Sequence, residues 1–139
     1  MKLNPMKDLE QMTLNSGGDD MTRTYTNRRY LEALADRVLI FDGAMGTSLQ
    51  SQNLTAEHFG GEQYYGCNDY LVISYPQAVE RVHRSFLEVG VDVIETDTFR
   101  SCRLTLHDYG LGDRTLEINR SAAAMARKLA ASLPSHDPL

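Results

Sequence analysis

Apolar and polar positions alternate along this chain in segments of distinct period. Residues 1–25 show no sustained apolar period and are rich in Asn, Ser, Thr and Asp. Such a stretch buries too little surface to offset the entropy of ordering it, so it reads as a disordered leader. Asn27 then stands where a cap is wanted for a short helix with Tyr30, Leu31 and Leu34 on its apolar side. Val38, Leu39, Ile40 and Phe41 form a continuous apolar run closed by Asp42-Gly43, the pattern of a strand buried on both faces. Residues 48–70 lack a clear period, contain Gly60, Gly61 and Gly66, and read as a long loop.

The next unit is better defined. Pro76 suits the first turn of a helix, and it pushes Tyr75 out of the helical region. Val79, Val82, Phe86 and Val89 follow on one helical stripe, and Gly90 stands at the left-handed stop. Residues 91–96 (VDVIET) then predict a second strand, giving the tight helix-to-strand connection of a parallel sheet. A small helical segment is expected over residues 101–109. Asp113 is placed to cap a long helix whose stripe is Ile118, Ala122, Met125, Ala126, Leu129 and Leu133, with Pro134 as its end. The order is strand, loop, helix, strand, short helix, long helix, which is βαβα without a third strand to follow. Two parallel strands alone leave sheet edges and helix stripes uncovered, so the chain reads as the opening of something larger.

Composition narrows the function classes. With 14 basic against 19 acidic side chains, the net charge is −5. No basic run marks a nucleic-acid surface. No stretch approaches the ~18 apolar residues of a membrane span, and the N-terminus lacks the apolar core of a secretory signal, so a cytoplasmic protein is expected. Cys67 and Cys102 are too few for a disulfide framework. Together with His58 and His107 they match no compact zinc-ligand spacing, and they read as two reduced thiols.

Polar residues crowd the C-terminal ends of both expected strands, where ligands bind in parallel α/β sheets. The first run leads into Asp42, Gly43, Ala44, Met45, Gly46 and Thr47; the second ends in Glu95, Thr96, Asp97 and Thr98. Backbone N–H groups of the turn are suited to a carboxylate, and Glu95 or Asp42 to an ammonium, so the edge suits a small zwitterion. The glycine pattern is neither a dinucleotide fingerprint nor a phosphate cradle, and the turn and acids are also compatible with a purely structural role. His83 reads as a helix-face histidine away from this edge.

DGAMGT at 42–47, GCND at 66–69, the stretch 76–90 running on into VDVIETDTF, YGL at 109–111 and EIN at 117–119 occur in one order. In these motifs, over about residues 28–133, the chain resembles the homocysteine S-methyltransferase family. It is most similar to the N-terminal homocysteine-binding module of the cobalamin-dependent branch. The resemblance implies the first two βα units of a (β/α)₈ TIM barrel, truncated, with residues 26–139 as the N-terminal part of the homocysteine-binding domain. It implies methyl transfer to the zinc-activated thiolate of homocysteine, forming methionine; cobalamin and methyltetrahydrofolate supply the methyl group in the cobalamin-dependent branch, and betaine or S-methylmethionine users share the same opening motifs. It places Asp42, Gly43, Ala44, Met45, Gly46 and Thr47 at the amino-acid end of homocysteine, and Glu95, Thr96 and Thr98 on the same pocket. Asp97 stands where the family most often has Asn, and Arg100 where it commonly has Gly. The family's zinc cysteines, a lone Cys and a later Cys pair, have no match here. The resemblance therefore implies a fragment that is inactive alone and lacks downstream strands or modules. A small standalone α/β ligand-binding module without catalysis, and a non-catalytic piece completed by a partner chain, use the same residues.

Overall fold

The computed structural model describes residues 29–132. Helix α1 (Arg29–Asp36) spans the division between two compact units, residues 1–35 and 36–139. The expected leader, the Asn27 cap and Leu133 lie outside the described residues. The second unit holds the remaining elements, which are α2 (Met45–Gln50), α3 (Leu71–Ser74), α4 (Pro76–Glu88), α5 (Arg103–His107) and α6 (Thr115–Ser132).

Helix α4 forms where the sequence says it should. Pro76 sits in its first turn, Tyr75 lies outside the helical region at φ −148°, and Gly90 takes a left-handed φ of 87° just beyond its end. Its buried face is Ala78, Val79, Val82 and His83. Helix α6 turns Ile118, Ala122, Met125, Ala126 and Leu129 inward, matching the 3.6-residue period. The two helices pack on each other, α2 packs on α4, and α3 packs on α6. The expected cap of α6 is different. Asp113 lies in a 3-10 turn (Gly112–Arg114) that precedes the helix, exposed and paired with Arg103 at 3.0 Å.

The expected α/β architecture, two βα units opening a (β/α)₈ TIM barrel, is not what these residues make. Among the described residues there is no strand, and the fold is helical. The two apolar runs meet in a single isolated parallel bridge, Phe41 with Val93. Backbone bonds Asp42 N to Val93 O (2.9 Å) and Asp92 N to Ile40 O (2.8 Å) hold it. The reason is local. The Ile40 N–H donates to the Asp92 carboxylate at 2.9 Å instead of to a backbone carbonyl, and Arg37 holds that carboxylate at 2.6 Å. The first run gains little cover for its apolar side chains, with Val38 85% and Ile40 60% exposed, and Val91, Val93 and Ile94 of the second are only half-buried. A parallel ladder needs layers on both faces, and without them the pairing stops at one bridge.

Residues 48–70, read as a loop, are largely turns yet contribute to the core. Leu49, Phe59, Cys67 and Tyr70 are buried in one cluster with Leu71, Val79, Leu106, Ile118 and Leu129. Asn68–Tyr70 is a 3-10 turn that runs directly into α3, so the chain from Cys67 to Tyr70 is fixed on the helices.

Candidate functional site

A cavity of about 300 Å³ opens in the second unit between three stretches of chain: the turn after the first apolar run, the GCND segment, and the stretch from Glu95 into α5. The first stretch contributes Asp42, Gly43, Ala44, Met45 and Gly46. From the other side come Glu95, Thr96 and Asp97. Two of the residues expected at the site do not line it. Thr47 turns its hydroxyl back onto Ala44 O at 3.1 Å, and Thr98 shares a 2.7 Å hydrogen bond with Thr96. Cys67, Asn68, Asp69 and Arg100 also line it, with Leu106 and Tyr109 closing the side towards α5.

The turn is shaped in an unexpected way. Ala44, not a glycine, occupies the left-handed region at φ 51° and ψ 27°, immediately before α2. A non-glycine residue there carries backbone strain, and such strain gathers at functional sites. Gly43 has open space where a Cβ would stand. Its value lies in leaving the backbone accessible to whatever occupies the cavity.

Asp42 ties the walls together. Its Oδ1 accepts the Glu95 N–H at 2.9 Å, so the carboxylate of one arm fixes the backbone of the other. Its Oδ2 faces His83 Nδ1 at 3.8 Å. His83 is therefore not remote from the site: it is 1% exposed on the buried face of α4, and its Nδ1 has no hydrogen-bond partner among the described residues. Burial pushes its pKa below the ordinary histidine value, against the pull of Asp42. The sequence carried a signal for this, since His83 directly follows Val82 on the helix and sits four residues after Val79 on the apolar stripe.

The opposite wall concentrates buried acids. Asp69 accepts the Arg100 N–H at 3.0 Å, and burial raises its pKa. Asp97 is 5% exposed, and burial, with Asp69 adding to it, pushes its pKa up to about 7. Burial also pushes the Cys67 thiol up, which keeps it protonated at neutral pH.

These residues do not fit the zinc that the resemblance implies. Among the described residues no three His, Cys, Asp or Glu side chains gather closely enough to hold a metal ion. The cavity, at the small end of ligand pockets, suits an amino acid rather than a corrin or a folate. No helix among the described residues is long and apolar enough to cross a membrane.

Known proteins place these features. The chain is 42% identical over 108 residues to the methionine synthase of Mycobacterium tuberculosis and 41% identical over the same length to that of Mycobacterium leprae. Each match covers 77% of this chain and 9% of the relative, so the chain spans about a tenth of the length of these relatives. The family model for homocysteine S-methyltransferase matches residues 39–136, which include both arms of the cavity, the GCND segment and the helices that carry them. The chain belongs to the homocysteine S-methyltransferase family.

Proposed function

We propose that this chain is the homocysteine-binding front part of a methyl-transfer enzyme of the methionine synthase type, in which a methyl group passes to the homocysteine sulfur. Family membership together with one geometric observation carries the reading. The motifs at 42–47 and 95–98 lie more than forty residues apart, yet Asp42 bonds them into opposite walls of one small cavity. In this reading the open backbone at Gly43 and Ala44 meets the carboxylate of the amino acid, and Glu95 and Thr96 face it across the cavity. Residues 26–139 act as one homocysteine-binding part. Zinc, cobalamin and methyltetrahydrofolate chemistry belongs to regions of the longer enzyme that carry the ligands for it, and the isolated chain binds without turnover.

Calorimetric titration of the chain with L-homocysteine tests this. Binding is expected in the wild type and is lost, by at least about tenfold in Kd, in Asp42→Ala and Glu95→Ala. The same affinity in both variants overturns the assignment of the cavity.

A further inference from the structure

The EIN motif at 117–119 contributes no residue to the cavity wall, yet its asparagine reaches the arm that does. Asn119 stands on α6, half-buried beside the fully buried Ile118. Its Nδ2 donates to the Ser101 carbonyl at 2.8 Å and to Ser101 Oγ at 2.9 Å, and to Thr115 O of its own helix at 2.8 Å. Carbonyl oxygens can only accept, so the amide nitrogen is the atom this place requires. An oxygen there would face two acceptors and leave a buried carbonyl unpaired.

The same point of the chain is gripped from two further elements. Asp69 of the GCND segment accepts the Arg100 N–H at 3.0 Å, and the Thr105 hydroxyl of α5 donates to Arg100 O. The Ser101 N–H closes back on Thr98 O at 3.1 Å. The backbone N–H and C=O groups of Arg100 and Ser101 are thus all paired, and only the Ser101 N–H finds its partner within the arm itself. From this buried root the chain runs back through Asp97 and Thr96 to Glu95, all three on the cavity wall. A wall is only as well placed as the shell behind it, and a shift of about 1 Å at the root is carried to the ligand.

We propose that Asn119 is a positioning residue for the cavity: from α6 it clasps the backbone at Ser101, with Asp69 and Thr105 holding Arg100, and so sets where the arm at 95–97 stands. The proposal gives the EIN and GCND motifs a shared task, and it rests on the homocysteine reading for the ligand's identity alone.

Amide exchange and calorimetric titration of the full chain test this. The Glu95 and Thr98 N–H groups are both hydrogen-bonded, to Asp42 and to Thr96 O. In Asn119→Ala and Asn119→Asp they are expected to exchange about fivefold faster or more, with a smaller change at the Val82 N–H inside α4. L-Homocysteine is expected to bind about fivefold more weakly or worse in both variants. Asp69→Ala gives the same pattern, and Asp69→Asn, whose side-chain oxygen still accepts the Arg100 N–H, recovers most of it. The double variant Asn119→Ala with Asp69→Ala is expected to weaken binding by less than the product of the single effects, because both release one arm. Equal acceleration at Glu95, Thr98 and Val82 makes Asn119 a stabiliser of the whole fold and overturns the proposal. Unchanged exchange at Glu95 and Thr98, or homocysteine bound with wild-type affinity by both Asn119 variants, overturns it too and leaves the homocysteine reading intact. A wild type that does not bind homocysteine, with exchange still responding at Glu95 and Thr98, upholds the clasp and removes homocysteine as the ligand. If the Asn119 variants fail to fold, Thr105→Val, which deletes the hydroxyl bond to Arg100 O, is read by the same exchange pattern.

Discussion

Two regions of this chain are written in similar apolar language and meet opposite fates. The stripes of α4 and α6 bury Ala78, Val79 and Ile118 to 0% exposure. The run at 38–41 leaves Val38 and Ile40 largely in water and forms one bridge. The difference is the supply of partners. Each helix satisfies its own backbone and needs only one apolar face to meet it, which the other helix provides. A strand needs neighbours for its backbone as well as cover for its side chains, and the described residues provide a single contact. Apolar pattern measures the demand for burial; topology decides whether the demand is met.

The comparison is most directly broken by matched truncations. Ile118→Ala is expected to cost about 2–5 kcal/mol in urea-induced unfolding, whereas Ile40→Ala, a similar loss of volume on an exposed site, stays within about 0.5 kcal/mol. Equal costs would show that the bridge region is buried as deeply as the helices. A second contrast is electrostatic. Asp97 has a folded-state pKa raised from 3.8 to about 7. A raised value means that its contribution is fully present below about pH 4 and is lost as pH rises through 7. Over that window Asp97 removes up to about 4 kcal/mol of stability, and Asp97→Asn is expected to flatten the pH dependence between about pH 4 and 7. An unchanged pH profile in the variant would place the carboxyl in water. The smallest effect is backbone strain at the edge of the bridge region. Ala44→Gly relieves the left-handed φ of 51° and is expected to stabilise by at most about 1 kcal/mol, read from the same unfolding curves.

Much of this was legible in the sequence, for identifiable reasons. Pro76 and Gly90 punctuate α4, and the stripe from Ile118 to Leu129 describes α6, because capping chemistry and 3.6-residue spacing act locally. The motifs that carry the family likeness also named most of the cavity wall, since Asp42, Gly43, Glu95 and Thr96 are contiguous with them. Three things were not legible. The strands were over-read because the run at 38–41 carries no mark of whether cover exists. The core role of residues 48–70 was missed because Leu49, Phe59 and Tyr70 fall at no regular period: they sit in a short helix, an irregular turn and a 3-10 turn. The approach of His83 to Asp42 spans forty-one residues, and no local pattern encodes that distance.

The bond from Asp42 to the Glu95 N–H also bears on how the cavity answers a ligand. One wall, at Cys67 and Asp69, is anchored through buried Tyr70 and α3 to the helical core. The other, at residues 42–44 and 95–96, is exposed or half-buried and is tied across by one bridge and that side-chain bond. Local opening is cheapest where few buried contacts hold the chain, so the two walls fluctuate unequally before anything binds. An occupant that stills the looser wall pays an ordering entropy that the firmer wall does not demand. Amide exchange would record this as protection gained at Asp42 and Glu95 on binding, with little change at Tyr70. Affinity in such a cavity is then set as much by the stiffness of one loop as by the contacts the ligand makes.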